Sequence, residues 1–90
     1  MEIEFDPAKD ARNRRDRGLS LALASDILAN RIADTEDTRQ DYDEQRRIAF
    51  GYVGPRLHCL VYTLRDNTLR PISPRKANRK EIQRWHPAEP

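Results

Sequence analysis

Residues 47–73 constrain the fold most, because three apolar stretches, Arg47–Val53, Leu57–Leu64 and Leu69–Ser73, follow one another with only short turn sequences, Gly54-Pro55 and Asp66-Asn67, marking the breaks. Connections this short cannot hold a crossover helix, so neighbouring stretches must pair antiparallel. In the first stretch Ile48, Phe50 and Tyr52 point to one face, and Arg47, Ala49 and Gly51 to the other. The run Cys59-Leu60-Val61-Tyr62 is apolar on both faces, as an interior strand requires. The segment predicts an antiparallel meander.

Helix signals flank it. Ile3 and Phe5 alternate with acids and suit a short edge strand; Asp6-Pro7 then reads as a cap followed by a first-turn proline. That predicts a helix over Pro7–Arg17, closed by Gly18 in a left-handed cap. Ser20 caps a second helix whose stripe is Leu23, Ala24, Ile27 and Leu28. Ser73-Pro74 repeats the cap-plus-proline signal and predicts a last helix to Trp85, ended by His86-Pro87. Residues 32–44 turn acidic and read as a strand margin and a solvated loop, without the glycine and terminal glutamate of a calcium loop. The expected fold is α+β, one domain over residues 1–90, with N-terminal helices and a C-terminal helix packed with a small antiparallel sheet.

With 90 residues, 37 % of them hydrophobic and 36 % charged, the chain suits one small core. No apolar run approaches the roughly 18 residues of a membrane span, and the first residues lack a signal-peptide pattern, so a cytoplasmic protein without a membrane partner is expected. The single cysteine, Cys59, has no internal disulfide partner and reads as a buried, inert thiol. His58 and His86 are the only histidines and, with one cysteine, do not make a metal set at motif spacing. No metal and no cofactor are expected.

Charge is divided along the chain. Residues 1–45 hold 7 basic and 12 acidic side chains and residues 46–90 hold 10 and 3, so the halves carry −5 and +7. Much of the excess lies in Arg70, Arg75, Lys76, Arg79, Lys80 and Arg84, with Glu81 the one acid among them. On the predicted helix Arg75 stacks on Arg79 and Lys76 on Lys80, each pair costing about 0.2–0.5 kcal/mol. Its first turn is also where the macrodipole disfavours cations. Bases kept there point to an anionic partner: helix-start amides with Arg75 and Lys76 suit a phosphate, and Arg70 and Arg65 extend the site. Tyr62 reads as core, although a strand tyrosine can present its hydroxyl beside the basic cluster. Trp85 with Ile82 docks the last helix, a solitary tryptophan being thin support for base stacking.

Taken in order, Phe5-Asp6-Pro7-Ala8-Lys9, Ala11-Arg12-Asn13, Gly18-Leu19-Ser20, Arg46-Arg47-Ile48-Ala49-Phe50-Gly51, Val61-Tyr62-Thr63 with Arg65, and Arg70-Pro71-Ile72-Ser73-Pro74-Arg75-Lys76-Ala77 followed by Arg79 and Glu81 resemble the BrnT toxins of bacterial type II toxin–antitoxin systems. The resemblance implies a RelE-like fold and a ribonuclease activity that halts translation. It also implies a BrnA-like ribbon-helix-helix antitoxin, which neutralises the toxin and with it represses their operon by binding operator DNA, in a complex that can hold a toxin dimer. Carried over by position, the site is Tyr62, Arg65, Arg70, Arg75 and Lys76, with Arg47, Arg79 and Lys80 binding RNA. The chain departs from the pattern at Asp16-Arg17, where relatives commonly have Lys-His, and at Leu64, where they commonly have Glu. Pro71 and Pro74 replace commoner apolar residues.

RNA can be cut without a metal, because its 2′-hydroxyl attacks the neighbouring phosphate once deprotonated and the protein supplies orientation and cations. Arginine stays protonated, so Arg65, Arg70, Arg75 and Arg79 bind and stabilise. Lys76, Tyr62, His58 and Glu81 are the candidates for proton transfer. A non-catalytic nucleic-acid-binding regulator, or a degenerate toxin, uses the same basic patch, and an acidic protein segment is a third kind of occupant.

Overall fold

The computed structural model describes residues 2–41 and 43–85. A five-stranded sheet in the order β1-β5-β4-β3-β2 is assembled from β1 (Glu2–Ile3), β2 (Arg31–Glu36), β3 (Arg47–Val53), β4 (Arg56–Arg65) and β5 (Thr68–Lys76). The helices are α1 (Pro7–Arg17), α2 (Ala24–Ala29), which follows a single 3₁₀ turn at Leu21–Leu23, and α3 (Arg79–Trp85). The α+β class is as expected. The sheet is mixed, because β1 runs parallel to β5 through Glu2 and Ile3, beside the antiparallel meander of β3, β4 and β5.

Local chemistry sets the predicted boundaries of α1. The Asp6 carboxylate accepts the Ala8 N–H at 2.9 Å, and Gly18 takes φ 70°, a conformation a side chain would resist. Ser20 caps the next turn by accepting the Ala22 N–H at 3.1 Å. It also donates to Asp10, whose carboxylate takes the Leu21 N–H at 2.6 Å and is held below its usual pKa chiefly by that bond. Asp66 and Asn67 both adopt positive φ, 51° and 65°, the hairpin turn their sequence suggested.

Three expectations are corrected. The segment read as a strand margin and loop contains a full edge strand, β2, paired to β3 from Arg31 to Glu36. The helix expected to open at Ser73-Pro74 does not: β5 runs on to Lys76, with Pro74 opposite Leu60. The reason is that β1 pairs only with Thr68 and Leu69, so the rest of β5 is an edge, where Pro71 and Pro74 forfeit no ladder bond. The real cap of α3 is Asn78, whose Oδ1 accepts the Glu81 N–H at 2.9 Å while Glu81 accepts the Asn78 N–H at 2.9 Å, a capping box. The Arg75/Arg79 and Lys76/Lys80 stacking on one helix falls with it. The stop expected at His86-Pro87 lies outside the described residues.

Apolar side chains gather on both faces of the sheet. On one, Ala24, Ile27 and Leu28 of α2 pack on Ala49, Leu60, Tyr62 and Leu69. The approach is so close that a Cβ on Gly51 would lie 2.0 Å from the Ile27 carbonyl oxygen. On the other, Ile82 and Trp85 of α3 rest on Phe50, Leu57, Cys59 and Ala77. None of the described helices is long and apolar enough to cross a membrane.

Candidate nucleic-acid interface

Because α3 covers only one end of its face, Ile48, Phe50, Cys59 and Val61 are left as the floor of an open cleft of about 620 Å³. Two alternate residues of β3 and two of β4 contribute, as strand alternation dictates. Trp85 walls one side, its ring 5.6 Å from that of Phe50 and tilted by 32°. The hydroxyl-bearing Thr35 and Ser73 also line the cleft.

Its charged lining is one-sided. Among the described residues, Arg17 comes from the end of α1, Arg39 and Arg46 from the β2–β3 connection, Arg75 from β5, and Lys80 and Arg84 from α3, against the single carboxylate of Glu81. Two of these cations are held in place. Arg75 donates from both terminal nitrogens to Glu81, at 2.6 and 2.7 Å, which raises the guanidinium pKa and lowers that of the carboxyl. Arg39 grips Asp37 through Nε and Nη2, both at 2.8 Å, and the Asp37 side chain is 0 % exposed. The Arg84 guanidinium lies over the Trp85 ring, 4.8 Å from its centroid. A pair of guanidiniums at fixed positions over an apolar floor suits phosphates joined to flat rings.

A smaller hollow shares Arg46 and Ile72 with the cleft and sets Lys9 and Arg70 among the carboxylates of Glu4, Asp6 and Glu44. Arg70 is only loosely paired there, 3.9 Å from Glu4 with both side chains well exposed. Thus Arg75 and Lys80 stand in the cleft and Arg70 beside it. The other expected residues stand apart. Arg65, at the end of β4, pairs with Glu44 at 3.3 Å. Lys76 lies opposite His58 in the ladder and so faces the other side of the sheet, and Arg79 is exposed at the start of α3.

Tyr62 and Arg47 lie on the α2 face. Arg47 Nε donates to Asp34 at 2.8 Å, and the Tyr62 hydroxyl donates to the other oxygen of the same carboxylate. Tyr62 is 2 % exposed, and its burial, with Asp34 next, raises its pKa. His58 is buried too, its Nδ1 3.0 Å from the Arg56 carbonyl oxygen. Cys59 has its thiol pushed up to about 11 by burial, as an inert core thiol should.

Four cleft cations, Arg17, Arg39, Arg46 and Arg84, were not among the site residues expected from sequence. Arg46 was accessible to parity, since it shares its side of the chain with Ile48 and Phe50 whereas Arg47 shares that of Ala49. Arg17 stands where relatives of the resembled family commonly have histidine, and it does reach the cleft. Leu64, the other departure, is 46 % exposed. Among the described residues, no group of three or more His, Cys, Asp and Glu side chains is placed to hold a metal ion.

Comparison with known proteins gives one family: the model described as "Ribonuclease toxin, BrnT, of type II toxin-antitoxin system" matches residues 5–81. No curated protein matches the chain.

Proposed function

The chain belongs to the BrnT family of ribonuclease toxins of type II toxin–antitoxin systems, and from that premise we propose that RNA is cut on the open face of its sheet, by the substrate's own 2′-hydroxyl and without a metal ion. The observation that carries this reading is the lining of the cleft, six cations to one carboxylate among the described residues. Such a field draws a phosphate in and repels a divalent cation.

In this reading the 2′-oxygen bonds to phosphorus as the bond to the 5′-oxygen breaks, leaving a 2′,3′-cyclic phosphate and a 5′-hydroxyl. Arg75, presented by Glu81, holds the scissile phosphate and stabilises the charge that develops on it. Arg46 and Lys80 flank it, and Arg70 takes a phosphate further along the strand. Of the four proton-transfer candidates only Glu81 lines the cleft, and in this reading it receives the 2′-hydroxyl proton, although the Arg75 bonds that lower its pKa make it a weaker base than a free carboxylate. Lys80 is the ammonium nearest at hand to return a proton to the leaving oxygen. Tyr62 and Arg47 support the sheet from the opposite face.

Cleavage of messages would arrest translation. A BrnA-like ribbon-helix-helix antitoxin would neutralise the toxin and carry it, as a dimer in the complex, to operator DNA. The test is cleavage of a labelled RNA in EDTA by the purified protein, together with growth after expression. Cutting that survives chelation and is lost in Arg75→Ala supports the reading; loss on chelation sinks the metal-free step.

One observation favours a second reading, a nucleic-acid-binding regulator that does not cut: among the described residues, neither histidine nor tyrosine lines the cleft. It requires tight RNA binding by a protein that leaves the RNA intact and is harmless when expressed.

A further inference from the structure

The family match ends at residue 81, yet the cleft continues past it to Arg84 and Trp85. Packing explains only part of what these two residues do. Trp85 settles on Phe50, as a docking residue should, but it remains half-buried and lines the same cleft as Arg75 and Lys80. Arg84 could extend into solvent; its guanidinium lies over the Trp85 ring instead. Beside them the floor is Ile48 and Val61, flat and apolar, and Ser73 and Thr35 bring hydroxyl groups.

We propose that Trp85 and Arg84 form a nucleobase subsite next to Arg75, so that the cleft takes single-stranded RNA with one base stacked at the tryptophan. The proposal rests on the reading of this face as the RNA site. Three physical requirements meet here. An aromatic ring and a guanidinium plane are both surfaces on which a base stacks; here the Arg84 guanidinium lies over the Trp85 ring, and an entering base takes its place there while the guanidinium turns to the phosphate. The phosphate joined to that base needs a cation close by, and Arg75, Lys80 and Arg84 line the same cleft. A base can leave its own stack for the tryptophan only when it is unpaired, so the subsite selects single strands over duplex. The hydroxyls of Ser73 and Thr35 can donate to or accept from a base edge, which gives the subsite a means of preferring one base.

Trp85 is the only tryptophan in the chain, so its fluorescence reports on the subsite directly. The full-length protein is titrated with a short single-stranded oligoribonucleotide carrying 2′-O-methyl groups, which blocks cleavage, while a dye on the oligonucleotide reports binding by anisotropy. The expected result is saturable quenching of Trp85 with the same midpoint as the anisotropy. Replacing one nucleotide by an abasic residue should remove the quenching and weaken binding by about 5- to 150-fold, the range that loss of one stacked base gives. The same strand in a duplex should not quench. Trp85→Phe should keep most of the affinity and Trp85→Leu lose it with an unchanged salt dependence, because the phosphate contacts stay. The abasic comparison needs no variant, so it decides the matter even if Trp85→Leu does not fold.

Binding with unaltered Trp85 fluorescence overturns the subsite, as does equal affinity for intact and abasic strands at every position. Quenching by an acidic peptide but not by RNA also overturns it, assigning the face to a protein partner. Quenching and an abasic penalty in a protein that cuts nothing would leave the subsite standing and remove the catalytic reading. Failure of the oligonucleotide to bind removes both.

Discussion

Arg75 and Glu81 are joined by two parallel hydrogen bonds of 2.6 and 2.7 Å that tie the end of β5 to the first turn of α3. The same carboxylate accepts the Asn78 N–H at 2.9 Å, so one side chain both closes the helix start and aims the guanidinium. With its side chain 33 % exposed, Arg75 keeps part of its surface open to the cleft. A planar fork held in this way is oriented before a phosphate arrives.

Removing the fork should therefore affect chemistry more than folding. Arg75→Ala is expected to slow single-turnover RNA cleavage by about 10²- to 10³-fold, the range seen when one preorganised donor to a developing oxyanion is lost. Arg75→Lys, which keeps the charge without the fork, should fall between the variant and the wild type.

The pair also gives the fold a pH dependence. The Glu81 pKa lies below its ordinary value of 4.5 in the folded protein, with the Arg75 hydrogen bonds the main cause. Its contribution is thus fully present above that ordinary value and is lost as pH falls through the lower, folded one. Thermal melts should show stability declining from about pH 4.5 downward. Asp10 is lowered as well and adds to the decline. Glu81→Gln should remove only Glu81's share, so the difference between the two pH profiles isolates it.

Gly51 should tolerate no side chain. A Cβ there would lie 2.0 Å from the Ile27 carbonyl oxygen and 2.9 Å from the carbonyl carbon, both backbone atoms that cannot swing aside. Gly51→Ala should lower stability by about 3 kcal/mol or more, read from the midpoint of a urea transition.

Tyr62→Phe separates support from chemistry. The change leaves one Asp34 oxygen without its hydroxyl donor while Arg47 keeps the other. A stability loss of about 1–3 kcal/mol is expected. The cleavage rate of the folded variant, measured below its transition, should match the wild type.

Local signals were legible where local chemistry decides the structure. Asp6 and Gly18 cap what their sequence says they cap, Ser20 caps the 3₁₀ turn that leads into α2 and not α2 itself, and Asp66-Asn67 makes the hairpin its residues prefer. Ser73-Pro74 misled because a helix start and an edge strand both accept proline, and the choice rests on how far a two-residue strand at the far end of the chain reaches along β5. The acidic stretch hid β2 for a related reason. Asp34 is drawn into the sheet by Arg47 and Tyr62, the latter 28 residues away, and neither partner is visible locally. At the candidate site, the basic character of the second half was legible from charge alone. Which cations converge was not, because Arg17, Arg39 with Arg46, Arg75 and Arg84 come from four separate stretches of chain and only the sheet brings them to one face.

The two-sided core has a dynamic consequence. The cluster under α2 contains seven buried residues from the helix and three strands, whereas that under α3 has four, none of them in the helix itself. Opening α3 therefore exposes little apolar surface and leaves the larger cluster intact, so the amides of α3 should exchange with solvent well before those of β3 and β4. The wall that carries Lys80, Glu81, Arg84 and Trp85 is thus held by a smaller apolar cluster than the opposite face. The proposed RNA site should therefore come apart, and reform, while the protein stays folded.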